Sequence, residues 1–422
     1  MNQKRLLWAI FLVALTLRLG AALHLGERFY FIDETNYVDT VRALLAGNGF
    51  PANFTKEPGY PVLLTAIAAP LPKSILALRV GQSLVAAAGS LLVFVFVEGL
   101  FGFVPALIAV ACYALDPLNV VAGALLYPEA LASILLVATL MATKEAVRGN
   151  GLAWSALSGL LLGLLAQTRG VGLVLVPVLA TWIALALRAV HLRRRAAHAA
   201  VLLITCLAAL VPWTYRNYEV YGGFVLISRS AHHNAPHPLR VSGESEGVLA
   251  ATAEKSLEAP GVVARRVASE FLRFWELYPT RLVVDRPDLR MRMHAKDERL
   301  PVDAPFLPSL RDQVSALSFA PELFLAVFGI AVAWKRRSPE AALLAVVLIA
   351  YALGYSLFIS KLRYRITVLP TLFAFTGLGL ATLLDLIPSV RRRAAAFRST
   401  EPPAPLATAR GSRRKEAQAP TP

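Results

Sequence analysis

Two clusters of charged side chains have the types and spacing to do acid–base or anion chemistry. The first is the adjacent pair Asp33 and Glu34, inside FIDETNYVDTVRALLAGNGF (residues 31–50), directly after an apolar stretch. Carboxylates at a membrane edge lose hydration, so they need water, a cation or a partner. One could take a proton as a general base while the other orients it or holds a divalent cation. Adjacent helical residues point about 100° apart, so the two need not share a proton. The plain alternative is a helix start, with an acid ahead of a helical 35–46. The second cluster is Lys361, Arg363 and Arg365 around Tyr364. A guanidinium pair at a membrane mouth suits a phosphate presented by a lipid. Snorkelling to headgroups is the alternative.

Single residues add to this set. Arg169, in AQTRGVG, lies between two apolar runs, where it either caps carbonyls or joins an anion site. Arg216 and Asn217 follow Trp213, which reads as an aromatic-belt residue. Glu129 follows Pro128 and suits a helix N-terminus. His232, His233 and His237 could ligate a metal, but their spacing fits no closed site and Pro236 and Pro238 make the segment irregular. No metal ligand set and no cofactor is assigned, save a divalent cation that the carboxylates could hold. Asn53-Phe54-Thr55 fits a glycosylation sequon. No P-loop, dinucleotide fingerprint or Cys-rich metal pattern is present.

The elements that must position these residues are membrane helices. The chain of 422 residues is 56% hydrophobic with a mean hydropathy of +0.57, which excludes an ordinary soluble protein. The net charge of +16 collects at the ends of apolar spans and in the C-terminal tail, so it follows the positive-inside pattern and implies no nucleic-acid partner. Cys112 and Cys206 both lie in apolar runs and imply no disulfide framework. The pattern predicts an all-α polytopic protein with about ten spans, at roughly 6–25, 78–97, 103–118, 127–143, 152–168, 170–187, 198–213, 319–334, 341–359 and 366–384. Arg193–Arg195, Lys335–Arg337 and Arg391–Arg393 then fall on one, cytoplasmic side. Asp33, Glu34 and Lys361–Arg365 fall on the other.

This divides the chain into a membrane region 1–217 with a first outer loop at 26–77, a long outer loop 218–318, C-terminal helices 319–387, and a basic disordered tail 388–422. Residues 58–71, bracketed by prolines, read as a juxtamembrane or re-entrant helix. Within the long loop, Val262–Tyr278 shows an apolar face made by Val263, Val267, Phe271, Phe274, Trp275 and Tyr278. That pattern fits an interfacial helix or a helix packed on the loop's own core.

Several segments, in order, resemble the GT-C glycosyltransferases that use a polyprenyl-phosphate sugar, such as protein O-mannosyltransferases and aminoarabinose transferases of lipid A. They are Asp33-Glu34 with Tyr37 and Gly47-x-Gly49-Phe50, Pro58-Gly59-Tyr60-Pro61, Thr168-Arg169, Pro212-Trp213-Thr214-x-Arg216-Asn217, and Arg363-Tyr364-Arg365 before Pro370. The chain departs from the pattern at Gly170 and Glu57. The resemblance implies a multi-pass enzyme of the inner (cytoplasmic) membrane with its site on the periplasmic face. It would move a sugar from a polyprenyl-phosphate donor to a hydroxyl of a surface lipid, glycan or protein. Asp33 would be the base with Glu34 beside it. Arg363 and Arg365 would hold the lipid phosphate, with Lys361, Arg169, Tyr60 and Arg216 as further donor-binding residues. The alternative is a transporter or flippase for an anionic lipid or sugar, which predicts mid-bilayer charges and repeated halves.

Overall fold

The computed structural model describes residues 3–149, 151–188, 190–229, 260–278, 308–358 and 360–387. His232, His233, His237, much of the loop 218–318 and the tail after residue 387 lie outside these residues. In chain order, α1 (Gln3–Leu25) leads to two short helices, α2 (Ile32–Leu45) and α3 (Gly59–Ala68). Next come α4 (Ile75–Phe101), α5 (Phe103–Leu115), α6 (Pro117–Ala124) and α7 (Glu129–Arg148). α8 (Leu152–Thr168), a 3-10 segment Gly170–Val174, α9 (Leu175–Ala186) and α10 (Leu192–Tyr221) follow. The C-terminal part holds α11 (Pro260–Phe274), α12 (Pro308–Lys335), α13 (Pro339–Ser356), a second 3-10 segment Leu362–Val368 and α14 (Leu369–Leu384). Among the described residues every regular element is a helix.

The chain is a multi-pass membrane protein. Among the described residues seven helices are long and apolar enough to cross: α1, α4, α7, α10, α12, α13 and the run from Leu362 through α14. The pair α5–α6, bent by 59°, makes an eighth if taken as one span. The expected ten counted α8 and α9 separately, and both fall among the shorter apolar helices. α8, with 17 residues, reaches about 26 Å against a hydrocarbon core of about 30 Å. α3 has 10 residues, about 15 Å, and is too short to cross. The α5–α6 bend has a local cause. Pro117 cannot continue the hydrogen-bond ladder, and the Asp116 side chain restarts the helix by accepting the Asn119 N–H at 2.7 Å.

The last span is the most enclosed of the seven: 83% of its apolar window is buried, against 17% for α1. Its backbone comes so close to α5 that a Cβ on Gly377 would overlap the Pro105 carbonyl, the small-residue packing expected between membrane helices. This holds the span that the 3-10 segment leads into, and with it the segment that carries Arg363, against α5. Contacts divide the chain into Met1–Ala381 and Thr382–Pro422. All site residues belong to the first unit.

α11 departs from both expectations for its apolar face. Phe274 is fully buried, and Phe271 and Trp275 pack with it against the membrane-helix core that includes Tyr351, Tyr355 and Tyr364. The face is therefore used within the protein. The side left outside carries Val262, Arg265, Ala268 and Leu272.

Candidate active site

The site is built where α2 begins. Phe31 is extended at φ −140° and the helix starts at Ile32. Glu34, in the first turn, folds back, and its Oε2 accepts the N–H groups of Tyr30 at 2.7 Å and Phe31 at 3.3 Å. That is the carboxylate half of a capping box. Its Oε1 accepts from Arg79 Nη1 at 2.9 Å and from the Leu126 N–H at 3.1 Å. Glu34 and Arg79 are both fully buried. Arg79 also donates to the carbonyls of Gly26, Arg28 and Ala124 at 3.1, 2.6 and 3.1 Å. Every strong acceptor on Glu34 is thus occupied. The ion pair knots the α1–α2 link, α4 and the α6–α7 turn together.

One residue earlier, Asp33 turns the other way and stays 30% exposed. Its Oδ1 meets Lys56 Nζ at 2.5 Å. Its Oδ2 accepts from the Tyr127 hydroxyl at 3.2 Å and from Arg363 Nη2 at 3.2 Å, across 330 residues of chain. Burial pushes the Asp33 carboxyl up, but Lys56 and Arg363 outweigh it and hold the group well below the usual carboxylate range. Burial pushes the Tyr127 phenol up, so it stays protonated and donates.

The network continues inward. The Arg363 guanidinium lies 4.0 Å from the Tyr127 ring centroid, and its Nε is 3.4 Å from Glu129 Oε1. Glu129, at the start of α7, also pairs with Arg169 at the end of α8. Arg169 sits 5.3 Å from the Tyr364 ring centroid, and Lys56 lies 4.7 Å from that of Tyr37. The order is Lys56, Asp33, Arg363, Glu129, Arg169, three cations alternating with two carboxylates. Glu129 Oε2, Arg169 Nε and Arg363 Nε are buried without a hydrogen-bond partner. Three cations against two carboxylates leave this run of groups one positive charge in excess, an electrostatic setting that favours an anion.

Local packing explains the convergence. A Cβ on Gly59 would stand 2.8 Å from the Gln167 carbonyl and from Thr168 Oγ1, so only glycine lets α3 start against the end of α8. That contact brings the segment ahead of α3 to the Arg169 turn, where Glu57 Oε1 lies close to Gly170. Tyr60, fully buried, donates to Gln82 Oε1 at 2.7 Å and packs edge-on against Tyr37 at 4.7 Å.

The predicted residues therefore separate. Asp33, Arg363 and Arg169 come together. Tyr60 and Arg216 do not reach the open side of Asp33. Arg216 donates to the carbonyls of Pro51 at 2.8 Å and Phe54 at 3.4 Å and stacks on Trp213 at 4.7 Å. It pins the outer loop to α10. Trp213, expected in an aromatic belt, is buried and donates to the Ile227 carbonyl at 2.6 Å. Lys361 is exposed at the start of the second 3-10 segment. Arg365 does not pair with Arg363. A 3-10 helix advances about 120° per residue, so residues two apart diverge. Arg365 is 1% exposed, lies 3.5 Å from the Phe319 ring centroid and donates to the Glu276 carbonyl at 2.5 Å.

Lys56 and Tyr127 were not singled out by sequence reasoning. Lys56 had a signal, a cation directly ahead of Glu57-Pro58-Gly59-Tyr60-Pro61. Tyr127 had none beyond standing two residues before Glu129. Among the described residues no three His, Cys, Asp or Glu side chains gather as a metal site would require.

Residues 56–215 match the sequence model of the dolichyl-phosphate-mannose-protein mannosyltransferase family. A search of curated proteins by sequence finds no match. In structure the chain is similar to the oligosaccharyltransferase of Archaeoglobus fulgidus in its apo form, with 16% identity and a TM-score of 0.59 over 94% of this chain and 52% of that one. It is similar to AglB of the same archaeon in complex with an inhibitory peptide and a dolichol-phosphate, with 15% identity and a TM-score of 0.58 over 93% of this chain and 52% of that one. It is also similar to ArnT from Cupriavidus metallidurans bound to undecaprenyl phosphate, with 17% identity and a TM-score of 0.59 over 93% of this chain and 63% of that one. The chain thus spans between 52% and 63% of the length of these proteins. Its fold is that of the GT-C membrane glycosyltransferases.

Proposed function

We propose that this protein is a membrane glycosyltransferase that moves a sugar from a polyprenyl-phosphate donor to a hydroxyl acceptor, at a site on the periplasmic face of the inner membrane. The observation that carries the reading is the junction of Asp33 with Arg363 and Lys56, contributed by distant parts of the chain. The family match and the GT-C fold support the donor class.

In this reading the acceptor oxygen attacks the anomeric carbon, and Asp33 takes the acceptor's proton as the new C–O bond forms. The bond from the anomeric carbon to the phosphate oxygen breaks, and its electron pair leaves with the lipid phosphate. Lys56 and Arg363, with Arg169 behind them, meet the negative charge that grows there. A single displacement inverts the anomeric centre. Without donor, the two cations make Asp33 a weak base. A bound phosphate draws the same cations to itself and so raises the basicity of the carboxylate. Glu34 acts by position: its sealed pair with Arg79 aims its neighbour outward. A divalent cation would reach Asp33 only by displacing Lys56 and Arg363, so the surroundings suit an anion better than a metal.

The test is donor-dependent transfer in proteoliposomes. Asp33→Asn should stop turnover while undecaprenyl phosphate still binds. Normal turnover by that variant would refute the assignment of the base.

A further inference from the structure

Arg363 needs a support that holds it beside Asp33 and Glu129. The link that delivers this arginine lies between α13 and the 3-10 segment, and Leu357 and Ser360 belong to it. α11 grips that stretch at several points. Arg266 Nη2 donates to the Leu357 carbonyl at 2.9 Å. Glu270, 2% exposed, accepts the Ser360 N–H on Oε2 at 2.9 Å, and its Oε1 is oriented by Arg273 at 3.1 Å. Just past Arg363, Arg365 donates to the Glu276 carbonyl at 2.5 Å, directly after α11. An aromatic column closes the contact. Phe274 stacks on Tyr355 at 5.9 Å and Tyr355 on Tyr364 at 4.4 Å. Tyr364 in turn faces both Arg363 and Arg169, at 5.5 and 5.3 Å.

We propose that α11 is a clamp that sets the position of Arg363, with Glu270 as its central positioning residue. This rests on the reading of Arg363 as a ligand of the donor phosphate. The physical case is one of anchoring. A buried carboxylate that accepts a backbone N–H makes a charge-assisted bond, among the stronger ones a loop can have. Glu270 lies three residues before Arg273 on one face of α11, so Arg273 engages Oε1 while Oε2 accepts the Ser360 N–H. Ser360 is three residues before Arg363, so a shift there moves the guanidinium off Asp33 and Glu129. The acidic side chain is needed inside an apolar face because the backbone it serves has no helical partner at that point. Glu270 touches no reacting atom in this arrangement and acts through Arg363.

The experiment measures binding of undecaprenyl phosphate to the purified full-length protein by tryptophan fluorescence, with melting temperature followed in parallel. Glu270→Ala should weaken binding about tenfold, the scale of one charge-assisted hydrogen bond partly lost. Glu270→Gln keeps an acceptor for the Ser360 N–H and should recover most of that loss. The double variant Glu270→Ala with Arg363→Ala should bind no worse than Arg363→Ala alone, because a positioning residue has nothing left to position. A merely structural Glu270 would lower the melting temperature, gain no binding from glutamine and multiply with Arg363→Ala; that result overturns the clamp. If Arg363→Ala itself binds undecaprenyl phosphate normally, the reading of the anion site fails and the clamp falls with it.

Discussion

Asp33 and Glu34 are neighbours in sequence and opposites in environment. Glu34 is sealed, and four donors saturate it. Asp33 is 30% exposed and shares two cations and a phenol that an incoming anion could take from it. Arg363 and Arg365 repeat the division at the far end of the chain. One faces the carboxylates, and the other is buried on Phe319 and the Glu276 carbonyl. In each pair one member builds the wall and the other faces the cleft. Closeness in sequence gives opposite assignments here, because an α-helix turns adjacent side chains about 100° apart and a 3-10 helix turns side chains two residues apart away from each other.

The largest expected effect is at Asp33. Asp33→Asn should cut turnover in a proteoliposome transfer assay by roughly 10²–10⁴-fold, the usual reach of a general base. Binding of undecaprenyl phosphate should tighten, since the carboxylate no longer competes for Lys56 and Arg363. Glu34→Ala should act on stability instead. Leaving Arg79 buried and unpaired costs about 3–5 kcal/mol, read as a large fall in melting temperature or in folded yield. A Glu34→Ala protein that melted normally would show that the sealed half of the pair is not structural.

The arginines give a smaller contrast. Arg363→Ala should weaken undecaprenyl phosphate binding about 30-fold, near 2 kcal/mol. Arg365→Ala should weaken it much less and lower the melting temperature more. Equal effects on binding would mean that both guanidinium groups reach the ligand. Smallest is the acid response. Burial opposes ionisation of Asp33, but Lys56 and Arg363 hold its carboxyl below the usual range. A lowered folded value means stability that is present above about pH 4, the unfolded value, and lost as pH falls toward the folded one. Asp33→Asn should therefore flatten the acid limb of a stability–pH curve by about 1 kcal/mol, after allowance for solvent screening.

The membrane class, the helical fold and the positions of most spans were legible in the chain because apolar stretches of about 20 residues have one stable form in a bilayer. The span count was less so, because α8 and α9 have the hydropathy of spans but fall short of their length, and the α5–α6 pair is bent. Asp33, Arg363 and Arg169 were legible as charges in costly places. Arg216 and Tyr60 looked the same by that criterion, yet their polar atoms serve the Pro51 and Phe54 carbonyls and Gln82. Lys56 was legible only as a cation ahead of Glu57-Pro58-Gly59-Tyr60-Pro61, and Tyr127 carried no signal beyond its place two residues before Glu129.

The order of residues makes an all-helical membrane chain with charges gathered between its spans and an acid pair at a helix start. Which of those charges meet is a matter of packing. Partner choice across 330 residues depends on side-chain direction and on close approaches such as Gly59 against α8. Neither is written in the spacing of charged residues.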